Sequence, residues 1–286
     1  MHRRLPRLTL YSLVACVPVL GLFMAVGPAA GASTTASRAS LNARAASAAR
    51  AALKRLEVGQ HATDHVFGHA VKIKGLTQVQ STNWSGYADD NTAGNTYSTV
   101  TGNWTEPAVS CTSRKTSYAA FWVGIDGYSS GTVEQDGTLA QCYHGSAFYY
   151  TWWEMYPTNS IQTVGTTVRP GDSISASVAR SGSTYTPKVT DSTRSGDSFS
   201  TSQSCSGCAN SSAEWIAEAP SGRQGILPLA NFGTWTESGA TVNSGAISSF
   251  PDDEITMVNS SGSVKAQPGP LNGSGNGFTV TWKSTS

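Results

Sequence analysis

Histidine is nearly absent from most of this chain. Of five histidines in 286 residues, His2, His61, His65 and His69 fall in the first quarter, and only His144 lies beyond residue 80. One imidazole cannot assemble a zinc site built on several histidines, and it leaves a single candidate base for a serine or cysteine nucleophile. Other absences narrow the chemistry further. There is no HExxH helix, no Gly-x-Ser-x-Gly elbow and no phosphate-cradling glycine loop. The paired Asp-Thr/Ser-Gly loops of aspartic peptidases are missing, and Asp136-Gly137-Thr138 has those residues in the wrong order. If the chain is an enzyme, carboxylates and amides must carry its chemistry.

Long apolar runs are scarce too. The one that exists, Leu8 to Val26, follows Arg3, Arg4 and Arg7, is broken by Ser12 and Pro18, and leads through Pro28 to Ala30-Gly31-Ala32. A basic start, an apolar middle and a small-x-small end predict a secretory signal over residues 1–32, removed on export to the medium, rather than a membrane anchor. Residues 33–80 differ in composition from the rest. They hold seven Lys/Arg against two Asp/Glu, whereas residues 81–286 hold nine against sixteen. The alanine-rich stretch from Leu41 to Leu56, with Arg44, Arg50, Lys54 and Arg55, favours helix. A basic helix ahead of an acidic body suits a pro-segment acting as an intramolecular inhibitor, held by charge and released by acid. A solvated linker is the competing expectation for the same residues. His61, His65 and His69, spaced by four, would share a helix face and respond to pH. The acidic body argues against nucleic acid as a partner.

After residue 80 helical periodicity disappears. Short alternating segments recur between turn signals: Asn83 to Ala88, Ser117 to Ile125, Phe148 to Tyr156, Ser173 to Val178, Ala213 to Glu218, Asn231 to Thr236 and Phe278 to Trp282. Phe148 to Tyr156 puts Tyr150, Trp152, Glu154 and Tyr156 on one face. Many short strands without intervening helices predict a single all-β domain, a two-sheet antiparallel sandwich or barrel, over residues 81–286. Such a sheet can bury one face and offer the other, lined with aromatics, to an extended polymer. Of five cysteines, Cys16 leaves with the signal, and the other four form an even set. Cys111 with Cys142 and Cys205 with Cys208 are the expected disulfides, in keeping with export. Neither a metal nor a cofactor is expected.

Two segments stand out for chemistry. One runs from Ala120 through Phe121-Trp122-Val123-Gly124-Ile125-Asp126-Gly127 to Thr132-Val133-Glu134-Gln135-Asp136-Gly137; the other is Ser212 to Pro220, containing Ala213-Glu214-Trp215-Ile216. On residue type alone Gln135 also fits an ordinary turn position. Glu214 shares a strand face with Glu218, so either could be the working carboxylate. Trp122, Trp152 and Tyr156 fit a cleft wall or a core. Glu154 among aromatics fits a supporting acid or a buried, partnered group.

Taken in order with Asn83-Trp84-Ser85-Gly86-Tyr87, Trp152-Trp153-Glu154 and Asn231-Phe232-Gly233-Thr234, these segments resemble the glutamic peptidases, or eqolisins, from about residue 81 to the end. The resemblance implies a lectin-like β-sandwich hydrolysing peptide bonds in acid. Its catalytic pair would be Gln135 and Glu214, with Trp122, Asp126, Trp152, Glu154 and Tyr156 contacting substrate. The implied protein is a secreted monomer, made as a zymogen and acting on polypeptides. Family aspartates are replaced here by Leu139 and Tyr150. A glutamate can still ionise in mild acid and an amide donates at any pH, whereas histidine there is a permanently charged, useless base. A carbohydrate-binding or glycan-cleaving sandwich is the alternative, pairing Glu154 with Glu214 or Glu218.

Overall fold

The computed structural model describes residues 40, 43–51, 53, 71–73 and 76–286, apart from 113–114, 166–167 and 223–224. The expected signal and His61, His65 and His69 lie outside the described residues. The chain divides into two units, Met1–Arg44 and Ala45–Ser286. In the first, the described residues 40, 43 and 44 are helical. The second holds a short helix, residues 45–51 with 53, and all of the β-structure.

The strands form a two-sheet sandwich. Across the first sheet the order is Val71–Ile73, Leu76–Ser81, Asp252–Val258, Trp84–Asp90, Ser212–Glu218, Ser117–Ile125, Val133–Tyr143, Ser146–Tyr156 and Asn159–Thr163. Thr234–Val242, Thr99–Thr105, Ser173–Ser181 and Thr184–Asp191 make the second. Thr234–Val242 serves both sheets. Its first residues pair with Phe278–Trp282, and its last pair with Thr99–Thr105 after a register shift between Ser238 and Thr241. Gly239, at φ +59, allows that bulge, which turns the corner between the sheets. Both expected disulfides are present, Cys111–Cys142 and Cys205–Cys208.

Sheet pairing starts earlier than the sequence suggests. Leu76–Ser81, which falls in the expected pro-segment up to residue 80, runs parallel to Asp252–Val258 and is flanked on its other side by Val71–Ile73. Thr77-Gln78-Val79-Gln80-Ser81 has little contrast between its two faces, so alternation gives no warning of a strand there.

Burial follows the two-residue period of the strands, with one departure from expectation. Between the sheets lies an apolar core that includes Phe121, Val123, Trp215, Trp235, Ile174 and Val178. The opposite face of the first sheet was expected to be an open aromatic groove. It carries instead a second buried cluster that includes Trp84, Trp122, Trp152, Tyr150 and Ile216 together with Leu53 from the short helix. Trp122 is 0% exposed and Leu53 4%. Burying an apolar side chain of that size is worth roughly 2 kcal/mol, so the helix has reason to stay where it lies. A cavity of about 680 Å³ remains between Ser47, Arg50 and Leu53 on the helix and Ser160 to Thr163 on the last strand.

The inter-sheet layer is unusually rich in carboxyl groups. Asp136 accepts from the Lys188 main-chain N–H and so ties the first sheet to the second. Glu106 accepts from Trp104 Nε1 at 3.2 Å and Thr138 Oγ1 at 2.6 Å, and Glu237 from the Asn103 N–H at 2.7 Å. Burial raises all three, Glu106 to about 7 and the others well above the carboxylate range. Burial also raises Asp89 to about 9, helped by Asp252, and Glu134 to about 10, helped by Asp126. A carboxyl whose folded pKa exceeds its unfolded value binds its proton more tightly when folded. Its stabilising effect is complete below about pH 4 and is lost as pH climbs toward the folded value, at about 1.4 kcal/mol per pH unit per group. The melting temperature is therefore expected to be highest between about pH 3 and 5 and to fall steadily up to pH 8. Thermal melts followed by circular dichroism test this; a melting temperature level or rising across that interval contradicts it.

Candidate active site

Strand register brings six residues into a line across the first sheet. Asp253 pairs with Ala88, Ala88 with Glu214, Glu214 with Gly124, Gly124 with Gln135, and Gln135 with Glu154. Directly paired residues share a face, so all six belong to the face opposite the inter-sheet core. Glu214 and Gln135 flank a glycine. Their strands lie two spacings apart, about 10 Å, and Gly124 leaves the interval between them unfilled. A methyl group at Gly124 would sit 3.2 Å from Gln135 Cβ, 3.3 Å from Glu214 Oε2 and 3.0 Å from the Trp122 ring. The Glu214 carboxylate and the root of the Gln135 side chain therefore border the same glycine gap.

Each member has a defined environment. Gln135 Nε2 donates to Glu154 Oε2 at 2.7 Å, while Gln135 Oε1 has no hydrogen-bond partner. Glu154 thus fixes which end of the amide is the donor and leaves its second N–H available. Glu214 is 0% exposed, and neither of its oxygens has a hydrogen-bond partner within strict distance and angle. Burial pushes its carboxyl well above the usual range; the Ser212 hydroxyl and the Tyr128 main chain oppose this, and Asp126 and Asp89 reinforce it. Glu218, the competitor on the same strand face, accepts from Trp122 Nε1 at 2.8 Å. That bond gives it a packing task and distinguishes it from Glu214.

The remaining sequence candidates separate. Trp122 packs edge-on against Trp84 with ring centres 5.0 Å apart, and Trp152 lies opposite Gly137, both on the face that carries the pair. Tyr156, half-buried, pairs with Val133 at the strand end. Asp126, expected to contact substrate, is held by four hydrogen bonds. At φ 67 it accepts from the Asn210 and Ser211 N–H groups, both at 2.7 Å, and from Ser211 Oγ and Thr132 Oγ1. Its carboxylate clamps two loops together. In the alternative glycosidase pairing, the backbones of Glu154 and Glu214 lie three strand spacings apart, about 14 Å, and Glu154 Oε2 is taken up by Gln135 Nε2 between them.

A sequence model of the Peptidase A4 family matches residues 82–280. The chain belongs to this family, the eqolisins. Aspergillopepsin-2 of Aspergillus niger is 30% identical over 237 residues, 74% of this chain and 82% of that protein. Among solved structures, scytalido-glutamic peptidase with a transition-state analogue inhibitor superposes with a TM-score of 0.59 at 21% identity, covering 71% of this chain and 98% of the other. SCP-B, an eqolisin in complex with the tripeptide Ala-Ile-His, gives 0.56 at 21% identity over the same shares. The eqolisin described here is thus a glutamic-type acid endopeptidase acting on polypeptides. Its sandwich is the fold of those solved relatives. No helix among the described residues is long and apolar enough to cross a membrane.

Proposed function

We propose that this eqolisin cleaves peptide bonds with Gln135 and Glu214 as its catalytic pair. The observation that carries the proposal is their shared line across one sheet face, with only Gly124 between them. Ionised Glu214 takes a proton from a water molecule as that water attacks the scissile carbonyl carbon. The carbonyl oxygen, now negative, accepts the second N–H of Gln135, whose first is held by Glu154. Glu214 then passes its proton to the departing amine, the C–N bond breaks, and the enzyme returns to its starting state. Trp122 and Trp152 form the wall along which the peptide lies.

The same reading explains why Glu214 is deeply buried. A neutral carboxyl cannot act as a base. In the closed form, burial favours the neutral carboxyl of Glu214; substrate access and water favour its ionised form. The segment before residue 80 serves as the inhibitor, with Leu53 in the apolar cluster that contains the groove tryptophans, and the protein is exported as a monomeric zymogen. Acid would neutralise the carboxylates of the body and release the basic helix.

Incubating the exported precursor near pH 4 is expected to remove the N-terminal segment, leaving a chain that begins beyond Leu53, with casein cleavage appearing in step. N-terminal sequencing alongside the cleavage assay measures both. Full activity from a precursor that retains Leu53 contradicts the inhibitory role, and no peptide cleavage at any acid pH contradicts the catalytic one.

A further inference from the structure

Two residues beside the catalytic line have no part in the mechanism above. Tyr128 lies in the turn after Ser117–Ile125, and its phenol donates to Oδ2 of Asp253, 125 residues away in sequence. Asp253 ends the line on the side of Glu214 away from Gln135, with only the small Ala88 between it and Glu214. To reach Asp253 from its own strand, the turn must lean over Ser212–Glu218. Other contacts agree with that course. Ser129 Oγ lies 3.4 Å from Ser211 Oγ, the Tyr128 ring packs against the groove cluster, and the Tyr128 main chain lies near enough to Glu214 to favour its charged form.

We propose that the Tyr128–Asp253 hydrogen bond ties the 127–131 turn down over Glu214, making Tyr128 and Asp253 positioning residues for the general base. The inference rests on Glu214 being that base. With the tie made, the main chain at Tyr128 orients the Glu214 carboxyl and the ring excludes water from its outer side. With the tie broken, the turn lifts, the main-chain dipole at Tyr128 moves away from the carboxyl and water reaches it. The titratable groups around Glu214 are Asp90, Asp253, Tyr128 and Glu218 on its own face, Asp126 at the end of the neighbouring strand, and Asp89, Glu134 and Tyr97 on the inter-sheet face. Replacing Tyr128 by Phe removes no carboxyl group but takes one donor from Asp253. Asp253→Asn, which removes that charge and keeps an acceptor for the phenol, separates the change at Asp253 from the solvation and orientation of Glu214. Burial raises this group, so added water lowers it, and the acid limb of the activity profile moves to lower pH.

The test uses the acid-activated enzyme and a peptide substrate, with Glu214→Gln run in parallel. Tyr128→Phe is expected to lower kcat about tenfold with KM within about twofold, as one lost hydrogen bond to a charged group would. Its acid limb should shift down by about half a pH unit. Asp253→Ala should match it. Asp253→Asn, which keeps an acceptor for the phenol, should stay within about threefold of the parent enzyme. Near-UV circular dichroism establishes that each variant is folded. A Tyr128→Phe enzyme with unchanged kcat and acid limb overturns the proposal, as does a fall in kcat with the acid limb unmoved, which is a structural effect only. Activity retained by Glu214→Gln locates the error in the catalytic assignment instead.

Discussion

Glu214→Gln is expected to lower kcat by about a thousandfold or more while changing KM less than about threefold. Gln has nearly the shape of Glu and still offers an oxygen and an N–H, so substrate binding and packing should survive. It cannot accept a proton from water, and the reaction loses its base. A second consequence has the opposite sign. Glu214 is buried and its pKa raised well above the ordinary range, so at neutral pH its ionisation disfavours the folded state. Removing the ionisable group should raise the melting temperature at pH 7 while leaving it nearly unchanged at pH 3. A dead enzyme that is more stable at neutral pH is difficult to obtain by misfolding. Glu218→Gln is the comparison. It keeps an acceptor for the Trp122 indole, bonded at 2.8 Å, and should stay within about tenfold of the parent kcat. Steady-state kinetics with thermal melts at both pH values read all of this; equal losses in the two variants contradict the choice of Glu214.

Gly124→Ala is expected to lower kcat about a hundredfold. The added methyl would stand 3.2 Å from Gln135 Cβ, 3.3 Å from Glu214 Oε2 and 3.0 Å from the Trp122 ring. Those side chains can give way by a few tenths of an ångström, so the sheet should still form. What they cannot do is yield and also keep room between amide and carboxylate for a water and a scissile carbonyl. Misplacement on that scale acts on the chemical step more than on binding, so kcat falls and KM holds. Parent-like kcat in a folded Gly124→Ala enzyme would show that the reaction does not occur between Gln135 and Glu214.

Alternation revealed seven of the strand regions, because a half-buried strand must repeat every two residues, but not Thr99–Thr105, Val133–Tyr143, Thr184–Asp191 or Asp252–Val258. Phe148 to Tyr156 does place Tyr150, Trp152 and Glu154 on one face, and both disulfides join the expected cysteines. Leu76–Ser81 was not legible, since its pairing depends on a neighbour near residue 255 and not on its own pattern. Sealing of the aromatic groove also escaped notice, because the sealing residue, Leu53, lies in a segment of different composition.

At the site, the residues could be named but not their arrangement. Gln135 and Glu214 are 79 positions apart in the chain, and only register puts them on either side of Gly124. In sequence that glycine sits inside Trp122-Val123-Gly124-Ile125 with nothing to mark it as a gap. Glu214 and Glu218 looked equivalent until the Trp122 indole was found on one of them. Asp126 carried the right motif, yet loop amides from residues 210 and 211 take up its carboxylate. Tyr128 and Asp253 carried no signal, being joined by a single contact between distant strands.

Everything turns on whether one amide and one carboxyl group activate the same water. A double-mutant cycle on kcat/KM, comparing Gln135→Ala, Glu214→Gln and the two combined in acid-activated enzyme, measures that directly. If they act as a unit, Gln135→Ala alone loses about a hundredfold or more, and the combined variant is no worse than Glu214→Gln by more than about threefold. If the two losses multiply in full, or if either single variant keeps the parent rate, Gln135 and Glu214 work independently or not at all.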